Sequence, residues 1–292
     1  MESRGARDNP DHRAVKYHPA LETMEKPDSP LIFLKLGGSL ITDKQRPYTP
    51  RLEVLHRLAH EIAAAREENP TLRLLIGHGA GSFGHVPAKR YGTRQGVHSP
   101  EEWLGFAEVW KEAATLNRLV VDALLEAQLP VISLPPCAAV TAQDGRVAVW
   151  ELYPIHAALQ AGLLPLVFGD VIFDRQRGGT ILSTEDLFEH LARHLRPQRI
   201  LLAGIEEGVW MDFPQCTELV REITPADIQG GRLQLGGSQA PDVTGGMESK
   251  VRQSLALVQE IPELEILIFN GEKPGAIQRT LAGETLGTRI HA

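Results

Sequence analysis

Residues 31–39 read Leu31-Ile-Phe-Leu-Lys-Leu-Gly-Gly-Ser39. A short apolar run that ends in two glycines is the pattern of a buried strand entering a tight turn. One residue breaks the run. Lys35 carries an ammonium group into a strand that should be buried, and a buried charge needs an opposite one to offset its desolvation. A phosphate would serve.

The same alternation of apolar runs and glycine-rich turns continues along the chain. Apolar spacing at Leu52, Leu55, Leu58, Ala59 and Ile62 predicts a helix over 51–67, and Leu72-Arg-Leu-Leu-Ile76 a second strand, stopped by the glycine-rich stretch 77–84. Pro100-Glu-Glu suits the first turn of a long helix to about Gln128. Strands are expected at 131–134, around 138–141, at 147–150 and at 164–168, with Asp144-Gly145 as a hairpin turn. Ser183 should cap a helix through His194. A strand follows at 199–203, then a helix at 249–260 and a last strand at 265–269. Strands alternating with helices predict a mostly parallel sheet covered on both faces. Residues 1–29 are polar, carry three prolines and have no apolar period, so a disordered extension is expected there. Residues 30–292 then form a single domain.

Composition narrows the function. The chain has 292 residues, 42% of them hydrophobic, which suffices for a substantial core. A net charge of −7 argues against a nucleic-acid partner, because phosphate backbones need a basic face. No apolar run reaches 18 residues and no apolar leader opens the chain, so neither a membrane span nor a signal peptide is expected. Cys137 and Cys216 fit no metal-ligand spacing and read as free thiols of a reducing compartment, the cytoplasm. No metal site of protein ligands is expected.

Four glycine-rich junctions follow strands or precede helices: Gly37-Gly38-Ser39, Gly77–Gly84, Gly169-Asp170 and Gly245-Gly246. In an open α/β sheet ligands bind at the carboxyl ends of strands, and glycine there lets backbone N–H groups approach a phosphate. Four such junctions point to a polyphosphate site, and Lys35, Lys44 and Lys250 stand beside them. No GxxxxGK[ST] occurs, so the P-loop is excluded. Gly79-Ala-Gly81-Ser-Phe-Gly84 matches GxGxxG. However, the acids at the distance a dinucleotide fold requires, Glu101 and Glu102, start a helix instead of ending a strand. His85 follows the glycine cradle directly and can donate a hydrogen bond to a phosphate. His78, at the strand end, reads as a packed imidazole.

Together Leu34-Lys-Leu-Gly-Gly-Ser39, Gly169-Asp-Val-Ile-Phe-Asp174 and Asp242-Val-Thr-Gly-Gly-Met247 resemble the amino acid kinase superfamily. His78-Gly-Ala-Gly-Ser-Phe-Gly-His85, with Thr42-Asp-Lys44 upstream, makes the chain similar to the isopentenyl phosphate kinases. The likeness runs from about Leu31 to Ile290. It implies a three-layer αβα sandwich, with residues from about 30 to 175 binding the acceptor and those from about 176 to 292 binding ATP. It implies direct in-line transfer of a phosphoryl group from ATP to isopentenyl phosphate, with Mg2+ bridging nucleotide oxygens. Lys35 and Lys44 would flank the transferred group and act as catalytic residues with His85. Gly37, Gly38, Ser39, Gly81, Gly246 and Lys250 would hold the nucleotide phosphates, with Glu207 in the segment that seats the nucleotide. Ala80, His85 and Gly169 would grip the acceptor phosphate, and Phe106, Val109 and Ala113 would line the pocket for its five-carbon tail. Helical spacing also puts Trp110 on that face, although a plain core face has the same spacing. Relatives are commonly dimers, which implies a homodimer.

The sequence departs from the pattern at three places. Ala80 stands in a glycine triplet, so backbone donation survives there only if its φ is negative. Glu185 replaces a shorter acid that elsewhere in the superfamily organises paired lysines. Gly204-Ile-Glu-Glu-Gly-Val209 replaces Thr-Asp-Val-Asp-Gly-Val in the nucleotide segment. A fosfomycin-type or other phosphate- or phosphonate-acceptor kinase, and a ligand-binding member without turnover, remain as alternatives.

Overall fold

The structure is a computed structural model that describes residues 29–229 and 246–292. The extension expected over 1–29 thus lies, but for its last residue, outside the described residues, as does Gly245. In chain order the elements are β1 (Leu31–Leu36), α1 (Gly38–Ile41), α2 (Leu52–Glu68), β2 (Arg73–His78), α3 (Gly81–Tyr91), α4 (Pro100–Glu126), β3 (Val131–Ser133), α5 (Pro136–Ala139), β4 (Val140–Gln143) and β5 (Arg146–Trp150). Then come α6 (Tyr153–Gln160), β6 (Leu164–Phe168), β7 (Asp170–Asp174), β8 (Gly178–Leu182), α7 (Thr184–Leu195), β9 (Arg199–Gly204), β10 (Val209–Trp210), β11 (Leu219–Val220) and β12 (Glu222–Ile223). The last are α8 (Pro225–Gln229), α9 (Gly246–Glu260), β13 (Glu265–Asn270), α10 (Ala276–Leu281) and β14 (Thr288–Ile290).

Eight strands form the main sheet in the order β12-β14-β13-β9-β1-β2-β6-β3, and every neighbouring pair is parallel except β13 with β14. Side chains alternate across it with period two. Ile32, Leu34 and Leu36 join Leu74, Ile76, Leu201 and Leu267 in a core shared with α2, α4 and α10. Leu31 and Phe33 join Leu75, Ile200, Leu202 and Ile266 in a second core shared with α6, α7 and α9. The result is a three-layer sandwich with its apolar mass on both faces of the sheet.

Several expectations need correction. The strand expected around 138–141 begins as the helical turn α5, because Pro136 at its first positions fixes a helical φ, and β4 follows. Glu265–Asn270 is not the last strand, since β14 returns to pair with both β13 and β12. The glycine-rich stretch after β2 becomes a helix, α3, within three residues of the strand end. A second sheet, β5-β4-β7-β8, was not anticipated. Its β7–β8 hairpin turns on the Asp174 carboxylate, which accepts N–H bonds from Asp144, Gly145, Gln176 and Arg177. The Asp144-Gly145 turn has φ of +51° and +73°, the left-handed pair that a two-residue hairpin requires.

Candidate active site

Strand order brings the glycine turns together. β9, β1, β2 and β6 are consecutive in the sheet, so the turns beyond their carboxyl ends share one opening. Each turn is stitched to its neighbour. The Gly37 N–H donates to the Ala203 carbonyl (2.8 Å), that of Gly79 to Leu36 (3.1 Å) and that of Gly169 to His78 (3.1 Å). Gly38 and Gly81 touch backbone to backbone: a Cβ on Gly38 would lie 2.5 Å from the Gly81 nitrogen. Thr42 fastens the contact. Its hydroxyl donates to the Gly38 carbonyl (2.7 Å) and accepts the Ser82 N–H (2.9 Å). Ala80 has φ of −71°, so its methyl costs the cradle nothing in backbone conformation.

These turns line a cavity of about 230 Å³. Lys35, Lys44, Lys250 and His85 all contribute to its wall, with Gly37, Gly38, Ser39, Ala80, Gly81, Gly169 and Gly246. Three helices open onto it by their N-terminal residues: α3 at Gly81, α7 at Thr184 and α9 at Gly246. Each adds partial positive charge where an anion would sit. The Ser183–Asp186 capping box fixes the start of α7.

The lysine that breaks β1 has its counter-charge in Glu185, one residue into α7. Lys35 Nζ donates to the Glu185 carboxylate, and both side chains are largely buried. Burial alone would raise the Glu185 pKa. Attraction to Lys35 and then Lys250 outweighs it and holds the carboxyl below its usual range. The longer acid therefore still relates two cationic groups to one carboxylate. Lys44 sits on an exposed loop, whose base is tied by Asp43 N–H to Thr49 (2.9 Å) and by Thr49 N–H to Ser82 Oγ (3.4 Å).

A scan of protein families matches residues 30–270 to the amino acid kinase family. The chain is 36% identical over 269 residues to the isopentenyl phosphate kinase of Methanothermobacter thermautotrophicus, a match covering 89% of this chain and 98% of the relative. It is 31% identical to that of Methanocaldococcus jannaschii over equal shares. Among solved structures, an isopentenyl phosphate kinase superposes with a TM-score of 0.75 at 33% identity, over 89% of this chain and 99% of the other. The chain belongs to the isopentenyl phosphate kinases of the amino acid kinase family. A substrate complex of an isopentenyl phosphate kinase superposes with a TM-score of 0.70 at 25% identity.

Within this kinase fold, three residues singled out from the sequence do not line the cavity. Glu207 is spent on the neighbouring loop, where its carboxylate accepts from Asn270 Nδ2 (3.1 Å) and Lys273 Nζ (2.7 Å); Ile205, Glu206 and Gly208 line the cavity in its place. Phe106 stands behind the wall, in a cluster with Ala88, Val97, Val109 and Val171 and against the rings of Trp103 and Phe173. Ala113 is buried in the helix α4 but absent from the lining. Only Val109 of that helix reaches the cavity, beside Ala88 and Ile181. Trp110 is 47% exposed, off the buried face on which helical spacing had put it.

His78 is a packed imidazole. Its ring stacks on Phe168 at 5.3 Å, and its nitrogens lie 3.2 Å from the Gly79 carbonyl and the Asn117 amide oxygen. Burial pushes its pKa down to about 4, so it is neutral. Asp170, quoted above only as part of a junction, and Arg94, not singled out at all, also line the cavity. Asp170 is buried and accepts the N–H groups of Val171 (2.8 Å) and Cys137 (3.2 Å), and burial raises its pKa to about 7. An acid directly after a strand-end glycine was the available signal for Asp170. Nothing in the sequence distinguished Arg94 from other loop arginines.

Proposed function

We propose that this chain phosphorylates isopentenyl phosphate with ATP, giving isopentenyl diphosphate and ADP. The single observation that supports the reading best is the convergence of Lys35, Lys44, Lys250 and His85 on one cavity lined by glycine turns and helix N-termini. Phosphoryl transfer needs alignment and charge neutralisation more than covalent chemistry. That is what this wall supplies.

In the proposed reaction an oxygen of the acceptor phosphate forms a bond to the γ-phosphorus of ATP as the bond to the β–γ bridging oxygen breaks. The acceptor is already anionic near neutral pH, so no strong general base is required. Lys35, steadied by Glu185, and Lys44 flank the transferred group, with Gly37, Gly38, Ser39 and Gly81 as further donors. Lys250 and Gly246 hold the nucleotide phosphates. His85, with the backbone of Ala80 and Gly169, takes the acceptor phosphate, and the tail runs toward Ala88, Val109 and Ile181. Among the described residues no three His, Cys, Asp or Glu side chains are grouped to hold a metal. Glu185 is committed to Lys35, and Asp170 to two N–H groups. That donor set fits an Mg2+ held chiefly by nucleotide oxygens, where it would neutralise charge on the β- and γ-phosphates.

The reading places acceptor binding at about 30–175 and ATP binding at about 176–292. It carries a cytoplasmic location, to which the two free cysteines are suited, and a homodimer. Among the described residues no helix is long and apolar enough to cross a membrane. Purified protein given Mg-ATP and a panel of acceptors should convert isopentenyl phosphate to the diphosphate. Turnover of fosfomycin alone, or of no acceptor, would overturn the assignment.

A further inference from the structure

Arg94 lies in the loop between α3 and α4 and forms part of the cavity wall with His85, Ala88, Gly169 and Asp170. Its stem is fixed. The Arg94 carbonyl accepts from Thr180 Oγ1 (2.9 Å) and from Arg177 Nη1 (3.4 Å). Its head is not. Among the described residues Nη2 makes one long contact, 3.3 Å, to Asp186 Oδ2. That oxygen already accepts the Ser183 N–H (2.8 Å), and the other Asp186 oxygen faces Gln253 Nε2 at 3.5 Å. Nη1 is buried with no hydrogen-bond partner among the described residues.

A guanidinium has five N–H donors, and leaving a buried one unmatched is costly. The arrangement is therefore poised for another anion. Position says which one. The carboxylate that Arg94 touches caps the start of α7, and Gly169 lies against that same start: a Cβ on Gly169 would sit 3.6 Å from the Thr184 nitrogen and 3.7 Å from Ser183 Cα. Gly169 and His85 are the groups assigned to the acceptor phosphate. The three lysines assigned to the transferred group and the nucleotide come from β1, the loop after α1 and α9, on other elements.

We propose that Arg94 is a cationic ligand of the acceptor phosphate alongside His85, turning its guanidinium from Asp186 onto the anion as the acceptor enters. Arginine suits this place better than lysine, because its planar fork holds two phosphate oxygens at once. The inference rests on the kinase reading above and deepens it.

Steady-state kinetics with Mg-ATP and isopentenyl phosphate, on wild type, Arg94→Gln, Arg94→Lys and Asp186→Asn, test it. Losing a charge-assisted contact should raise the acceptor KM about tenfold or more in Arg94→Gln while the ATP KM moves less than about twofold. Arg94→Lys should fall between. Asp186→Asn, which frees the guanidinium, should leave the acceptor KM unchanged or lower it. An unchanged acceptor KM in both Arg94 variants overturns the proposal. So does a parallel rise of both KM values in Arg94→Gln and Asp186→Asn, which would make Arg94 a tether between loop and helix. Should Arg94→Gln fail to fold, Arg94→Lys alone decides, by its acceptor KM. A wild-type protein that turns over no isopentenyl phosphate would instead bring down the kinase reading, and this inference with it.

Discussion

The turns after β1 and β9 lie side by side, joined by the Gly37–Ala203 hydrogen bond, yet they are built in opposite ways. The first is backbone against backbone. A Cβ on Gly38 would strike Gly81, and the charge just before the turn, Lys35 of β1, is buried against Glu185. The second is open. A Cβ on Gly204 would meet nothing closer than the Glu206 nitrogen at 4.0 Å, and its ion pair, Glu207 with Lys273, has side chains 38% and 64% exposed. The difference teaches where this chain tolerates change. The departures at Ile205 and Glu207 fall in the open turn. In the tight cradle the change at Ala80 is one that its φ permits.

The contrast can be broken most directly through the two ion pairs. Glu185→Gln takes the Glu185 charge from a buried ammonium and should cost about 3–5 kcal/mol in urea unfolding. Glu207→Gln, at the exposed pair, should cost less than about 1 kcal/mol. Equal losses would erase the distinction. A smaller effect is expected at the glycines. Gly38→Ala should destabilise by about 1–3 kcal/mol through overpacking and depress kcat/KM, whereas Gly204→Ala should stay within about 0.5 kcal/mol of wild type.

A pH slope separates two further buried groups of the site, His78 and Asp170. His78 is held at about 4, so between that pH and its usual 6.5 the unfolded chain binds the extra proton and stability rises with pH. Asp170 is held at about 7, so between 3.8 and 7 the folded protein binds the extra proton and stability falls with pH. Each slope is on the order of 1.4 kcal/mol per pH unit, and they oppose. From pH 4.5 to 6.5, Asp170→Asn should gain stability more steeply than wild type, and His78→Gln should lose it. Chemical denaturation at several pH values would reveal slopes of the same sign if this account is wrong.

Much of this organisation was legible in the sequence, for identifiable reasons. Strand-end glycines and helix caps are local signals, so β1, β2, α4, α7 and the junctions could be read directly. The lysine inside β1 announced a counter-charge, and the structure supplies Glu185 from 150 residues away. The second sheet was not legible, because its strands are short and β7 follows β6 after a single glycine. Helix α3 was hidden by Gly81, Gly84 and Pro87, residues that read as loop when counted singly. Phe106 and Ala113 show the limit of periodicity, which identifies a buried face without telling a pocket wall from the layer behind it. Arg94 depended on tertiary placement alone.

One strand carries a consequence for how the molecule is made. β14 threads between β12 and β13, and its Thr288 hydroxyl accepts the Val209 N–H (2.8 Å) while donating to the Val220 carbonyl (2.5 Å). The segment beyond β9 is thus braced by residues some eighty positions later. During translation the glycine cradle can assemble early, while the neighbouring turn beyond β9 waits for residues 288–290 to leave the ribosome. A nascent chain stalled before that point would hold half a site.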